Sequence, residues 1–427
     1  MSKYVFLTGA TGLVGRYLIR DLLLQGRQLA VLVRATKRQT PHERLEGILQ
    51  RWEKQLGQLL PRPVCLEGDV CQANLGLDSS QMQWVQEHCE TIMHNAAVLT
   101  FYGSDRDSDP WRTNVGGTQH VLDFCRRVDL TNLHYVSTAY VCGNREDLVM
   151  EHELDPHQGF RNDYEESKYL AEKLIREAYF LRQRTIYRPA VIAGDSQTGY
   201  TNTYHGLYMY LKLISVLVRN ARPDENGVRN TPVRLNMTGD EPRNIVPVDW
   251  VAKVICHLFN TPAAHGRVYH LAPEHPLTPR DIVDAGYKYF NSRGVEFMGR
   301  DHRDHTPISD IDKAVHENKT IYQPYEASDP SFDVTELRRM AGHLPCPVID
   351  VAMLHRFWDY GEEDRWGKRR EPEPNTDFWV SEYLAKRIRS DLHPPRANGN
   401  HVESVSFGLN VLGPGGGQWR LSVYKSQ

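Results

Sequence analysis

The chain reads as an α/β protein: a doubly wound parallel sheet, then a smaller C-terminal part and a C-terminal extension. Three observations predict this. Tyr4-Val5-Phe6-Leu7 and Leu29-Ala30-Val31-Leu32-Val33 are short apolar runs, as strands buried on both faces require. Leu18, Ile19, Leu22 and Leu23 follow the first run at helical spacing. Gly9, Gly12 and Gly15 stand between strand and helix.

The glycines justify the first element. Gly9 and Gly12 permit a tight turn and close backbone approach to a pyrophosphate, and Gly15 lets the helix pack on the strand. The helix N-terminus then faces the anion. The spacing is G-x-x-G-x-x-G; glycines also mark ordinary turns, and the flanking strand and helix supply the context a dinucleotide site needs. The second strand ends in Arg34, with Lys37 and Arg38 behind it. An acid here would accept a ribose hydroxyl; cations fit a 2′-phosphate, which favours NADPH. Arg16 is a candidate second contact. Asp69 follows a third strand, at a place suited to adenine. Met93-His94-Asn95-Ala96-Ala97 follows a fourth, with small residues that admit a cofactor. His94 reads as a packed histidine, not a base.

His134-Tyr135-Val136-Ser137-Thr138 is a fifth strand ending in two hydroxyls, and ligands in open α/β sheets sit beyond strand carboxyl ends. Tyr164 and Lys168 stand at i and i+4 ahead of strong helix formers, which puts them on one helix face. A phenol titrates near ~10, and a neighbouring ammonium is expected to lower that value. A core tyrosine with a surface lysine is the commoner fate of such a pair. Combined with the glycine turn, the pair predicts hydride transfer to or from a carbonyl carbon.

With these motifs the chain resembles an extended short-chain dehydrogenase/reductase. More narrowly, it is similar to the thioester-reductase and fatty acyl-CoA reductase branch, shared with carboxylic acid reductases and "male sterility" proteins. The matching residues are 8–15, Leu32-Val33-Arg34, Gly68-Asp69-Val70 with 73–77, 94–97, 114–118, 135–141, Tyr164 with Lys168, 187–194, Thr198-Gly199 and 246–252. They cover about residues 1–275. The resemblance implies a Rossmann-type domain with Thr138, Tyr164 and Lys168 as catalytic residues; Thr138 is preferred to Ser137 because it lies five residues before Gly143. It implies cofactor contacts from Thr8, Gly9, Thr11, Gly12, Leu13, Val14, Gly15, Arg34, Asp69, Val70, Asn95, Ala96, Ala97, Asn114, Tyr164, Lys168, Arg188, Pro189, Ala190 and Val191. Where the family often has Val-Tyr-Gly, this chain has Val141-Cys142-Gly143, so Cys142 is expected to line the site as a small residue without a base to activate it.

The 427 residues carry 51 basic and 54 acidic side chains, a net charge of −3. No basic block of the kind nucleic acids require is present. The first strand begins at Tyr4 with no signal-peptide pattern before it, and no apolar run reaches the ~18 residues of a membrane helix. The run after Tyr208 contains Lys212 and reads as a helix over the substrate cleft, with shallow membrane contact as the alternative. Seven cysteines without C-x-x-C suggest reduced thiols and a cytoplasmic protein. Oligomerisation is left open.

The organisation expected is a cofactor domain over 1–195, a substrate-binding part over 196–275, a mainly helical extension over 276–395 and a β-hairpin-like tail over 396–427. Residues 204–218, rich in Tyr and Leu, would wall an acyl chain, the alternative being a plain core helix, with Leu211 as the test position. Residues 281–290 and 336–341 read as helices, broken by Leu344-Pro-Cys-Pro-Val348. His302 and His305 with Asp301 and Asp304 read as a charged loop, so no metal is expected. Residues 394–400 read as a linker. The tail, two alternating runs around Gly413-Pro-Gly-Gly-Gly417 that faintly resemble the start of a sterol-carrier-type sheet, is too short to fold alone and is expected to pair with the body or a neighbouring chain.

The function expected is NADPH-dependent reduction of an acyl thioester, on CoA or a carrier protein, to aldehyde or alcohol. The alternatives are a ketone or hydroxysteroid-like dehydrogenase, a nucleotide-sugar epimerase, and a non-catalytic NADPH-binding sensor or scaffold.

Overall fold

The apolar runs are strands and the helical spacings are helices. The computed structural model describes residues 3–155, 159–300, 308–309, 312–313, 328–369, 404–411 and 417–424. Strand and helix alternate through β1 (Tyr4–Thr8), α1 (Leu13–Leu24), β2 (Leu29–Val33), α2 (Pro41–Leu56), β3 (Val64–Glu67), α3 (Ser79–His88), β4 (Cys89–His94), α4 (Gly117–Arg127), β5 (Asn132–Val136), β6 (Leu148–Val149), α5 (Asp163–Arg176) and β7 (Gln183–Pro189). Then come β8 (Val191–Ala193), α6 (Leu207–Asn220), β9 (Arg229–Leu235), β10 (Ile245–Pro247), α7 (Val248–Phe259), β11 (Val268–Leu271), α8 (Pro279–Phe290), β12 (Ser292–Phe297), β13 (Ser331–Phe332), α9 (Thr335–Ala341) and α10 (Val351–Glu363).

Seven strands form one parallel sheet in the order β11-β7-β5-β4-β1-β2-β3. The order reverses between β1 and β4, and the crevice beyond their carboxyl ends is where such sheets bind ligands. Leu18, Ile19 and Leu22 of α1 pack with Val251, Val254 and Ile255 of α7 on one face. Val121 and Phe124 of α4 pack with Ala171 and Ile175 of α5 on the other. The sheet is therefore apolar on both sides, which is why its strands lack alternation.

A third core holds α6, α8 and α10 together. Leu207, Tyr208 and Leu211 of α6 meet Ile282 and Ala285 of α8 and Phe357 and Trp358 of α10. The indole of Trp358 donates to the Leu211 carbonyl at 2.9 Å. The expected helices at 281–290 and 336–341 appear as α8 and α9, whereas β12 and α10 were not foreseen. β12 pairs in parallel with β9, so segments on either side of residue 275 share one small sheet. β13 pairs with β6, which ties residues 331–332 back to the first domain.

In the tail, β14 (Ser404–Val411) and β15 (Gly417–Tyr424) are antiparallel, with Ser404 opposite Tyr424. They pair with each other, and no third strand joins them among the described residues. Asp301, His302, Asp304, His305 and the 394–400 linker lie outside the described residues. Among the described residues, no helix is long and apolar enough to cross a membrane, and no group of three or more His, Cys, Asp or Glu side chains is placed to hold a metal.

Candidate active site

The glycine turn opens on the crevice. Gly9 has φ +69°, and a Cβ there would sit 2.5 Å from the Ala96 nitrogen; a side chain would be strained and would push β4 away. A Cβ on Gly15 would meet the Gly9 carbonyl oxygen at 2.1 Å, so only glycine lets α1 start this close to the turn. Gly12 caps α1 without a side-chain bond, which leaves the first N–H groups of the helix for an anion. This cradle fits the pyrophosphate of a nicotinamide dinucleotide.

At the adenosine end α2 begins with a Thr40–Glu43 capping box and Pro41, which places Arg44 in its first turns. Arg44 donates to the Arg34 carbonyl at 2.6 Å and to the Thr11 hydroxyl at 2.9 Å. Burial, then Arg34 and Arg16, push its guanidinium pKa down, as expected for a half-buried cation beside like charges. Arg34 reaches Asp69 at 3.5 Å and is 62% exposed. Arg16 instead braces the turn, donating to the Thr11 carbonyl and the Tyr200 hydroxyl. Lys37 and Arg38 lie on the exposed loop.

The chemistry-bearing residues converge from two elements. The end of β5 presents Ser137 and Thr138; α5, capped by Asn162, presents Tyr164 and Lys168. Ser137 donates to Glu172 at 2.7 Å, whereas the Thr138 hydroxyl donates to the Pro189 carbonyl at 3.5 Å, accepts the Tyr140 N–H at 3.3 Å and lies close enough to the Tyr164 phenol to influence its ionisation. Burial first, then Glu165, push the phenol pKa up, against the pull of Thr138. This corrects the expectation that Lys168 lowers it. The Lys168 ammonium is itself buried and turned to the Val136 carbonyl at 2.9 Å. Burial pushes it down to about 7, opposed by Glu172. In this state Tyr164 keeps its proton.

One cavity of about 770 Å³ joins these parts. Gly9, Thr11, Gly12, Leu13, Val14, Arg34, Asp69, Val70, Asn95, Ala96, Ala97, Thr138, Tyr164, Lys168, Pro189, Ala190 and Val191 line it, as does Arg44. It also takes in Tyr140, Arg161 and Asp329 and a part lined by Leu213, Ile214, Leu217, Val233, Ile282 and Val295, with Arg234, Asn236 and Arg243 among them. Tyr140 donates to Asp329 at 2.8 Å, and Arg161 reaches Asp329 at 3.4 Å.

Residues 7–255 match the NAD-binding family described as "Male sterility protein". The chain belongs to this family. The chain is similar to the "Nonribosomal peptide synthetase asaC" of Aspergillus flavus, at 25% identity over 78% of this chain and 34% of that protein. It is similar to the "Aldehyde reductase lnaA" of the same organism, at 28% identity over 83% of this chain and 36% of that protein. It thus spans about a third of the length of these relatives. The solved terminal R domain from the myxalamid PKS-NRPS pathway superposes with TM-score 0.68 at 25% identity, covering 87% of this chain and 93% of that one.

Within this family member, four expected cofactor residues stand behind the cavity. Arg188 is fully buried and pairs with Glu172, because its strand position points into the protein. Thr8 receives the Asn95 and Ala96 N–H groups and bonds with His94. Asn114 holds the Val98 backbone and Ser167, and Gly15 sits against the turn. His94 is packed, as expected, and burial with Lys168 pushes it down to about 3. Cys142 is buried away from the cavity lining, and burial pushes its thiol up to about 12. Arg44, Tyr140, Arg161 and Asp329 escaped the sequence reading. The Thr40-Pro41 cap signal offered the one route to Arg44; Asp329 lies far beyond the recognised motifs.

Proposed function

We propose that the protein is an NADPH-dependent reductase of acyl thioesters, taking an acyl group on CoA or a carrier protein to the aldehyde or alcohol. The observation that carries this is one cavity that takes in the glycine turn, Thr138, Tyr164 and Lys168, and the leucine- and isoleucine-rich surface of α6, β9 and α8. The names of the related synthetase and aldehyde reductase, and the R domain's place in a PKS-NRPS pathway, support a thioester as substrate. On this reading residues 1–195 hold the cofactor and α6, β9, α8 and β12 hold the acyl group.

The nicotinamide, when bound, supplies the hydride. Thr138 and Tyr164 donate hydrogen bonds to the carbonyl oxygen as it gains charge. Tyr164 gives up its proton there. Lys168 holds the ribose and stabilises the phenolate left behind. Collapse of the resulting adduct releases the thiol and the aldehyde. The test is turnover: NADPH oxidation should accompany thiol release from long-chain acyl thioesters. Preference for nucleotide sugars or ketones over every thioester would overturn the reading.

Arg34 and Arg44 would hold the 2′-phosphate. A hydrogen bond to a charged group contributes about 1.5–3 kcal/mol, so Arg44→Ala should weaken NADPH roughly tenfold or more and leave NADH nearly unchanged. Arg34→Asp should erase or reverse the preference. Equal NADPH and NADH affinities in the native protein, measured by titration, would contradict the assignment.

A further inference from the structure

One turn after Lys168, on the same helix face, α5 carries a fully buried carboxylate. Glu172 accepts hydrogen bonds from Ser137 at 2.7 Å, from Arg188 at 3.0 and 2.7 Å, and from Arg176 at 3.0 Å. Glu172 and Arg188 are both 0% exposed. Three elements therefore meet on one carboxylate: the end of β5, the helix α5 and the strand β7.

We propose that Glu172 is a positioning residue of this site: it locks the end of β5, which presents Thr138, to the helix presenting Tyr164 and Lys168, and it supplies the counter-charge that keeps Lys168 an ammonium. The inference rests on the reductase reading only for the meaning of that ammonium in turnover.

The groups facing Lys168 support this. From β5 come the Tyr135 ring, 4.3 Å from the ammonium, and the Val136 carbonyl. From β4 comes His94, kept neutral by burial and by Lys168 itself. From α5 come Tyr164, whose phenol is held protonated, and Glu172. From β7 comes Arg188, which reaches this cluster through its ion pair with Glu172. Burial opposes ionisation of Glu172, yet Arg188, Arg176 and Ser137 outweigh it and hold the carboxyl down at about 2. It stays an anion throughout the working range. Without it, the buried Arg188 guanidinium would lose its carboxylate partner and Lys168 the one acidic group that favours its charged form.

The experiment follows NADPH affinity against pH in the native protein, Glu172→Gln and Glu172→Asp, with melting temperatures alongside. Removing the anion disfavours the cation, so Lys168 loses its proton at lower pH. The alkaline fall in affinity should move down by about one unit in Glu172→Gln, roughly a tenfold loss above both limbs. In Glu172→Asp the carboxylate retreats, and the limb should move part of the way. If Glu172→Gln does not fold, the aspartate variant alone decides. An alkaline limb unmoved in the folded variants, with losses that track melting temperature, overturns the proposal and leaves Glu172 a structural ion pair. The readout uses no acyl substrate. Failure of every thioester to turn over would sink the reductase reading without touching this result.

Discussion

Tyr164→Phe should lower kcat by about 10²–10⁴-fold and leave NADPH affinity almost unchanged. The substitution removes one hydroxyl and retains the ring against Phe101, with ring centroids 6.4 Å apart. Lys168→Ala should reduce both turnover and affinity, because the ammonium serves ribose and phenol together. The two variants thus separate proton delivery from cofactor binding. Stopped-flow turnover beside fluorescence titration of NADPH distinguishes them. Undiminished reduction by Tyr164→Phe would remove the phenol from the mechanism.

On α6, two leucines should give opposite phenotypes. Leu213, Ile214 and Leu217 face the cavity, and each buried methylene of the substrate should contribute ~0.8 kcal/mol, about fourfold in affinity. Affinity should climb with acyl length, and Leu217→Asp should flatten the climb. Leu211 is 0% exposed and packs in the third core. Leu211→Asp should instead cost about 3–5 kcal/mol, as an uncompensated buried charge does, and lower the melting temperature. Any surviving protein should keep its native length dependence. Measuring melting and chain-length series on both variants checks the assignment of faces.

The helix shows where sequence reasoning stops. The density of Tyr and Leu marked 204–218 as a helix walling an acyl chain. Leu211 looked as suited to the acyl wall as Leu213. Which face meets the cavity depends on Trp358 of α10, more than a hundred residues away, and no local period encodes that. The glycine turn was legible because its requirement is steric and local: Gly9 needs a positive φ and Gly15 admits no Cβ. Tyr164 and Lys168 were legible because i, i+4 spacing fixes a shared face. Their electrostatics were not. The direction of the phenol shift follows from burial, which a tyrosine–lysine pair read in isolation does not reveal. Arg188 was misplaced for a similar reason. Its partner Glu172 sits on another element, and only the fold brings the two together.

The central claim is hydride delivery to a thioester carbonyl with Tyr164 as proton donor. The most direct measurement is a single turnover with NADPH deuterated at C4 and a long-chain acyl thioester, with product analysed by mass spectrometry. The account predicts deuterium on the former carbonyl carbon, one free thiol per aldehyde formed, and neither signal in Tyr164→Phe on the same timescale. Thiol release without deuterium in the product, or equal label incorporation by Tyr164→Phe, would contradict it.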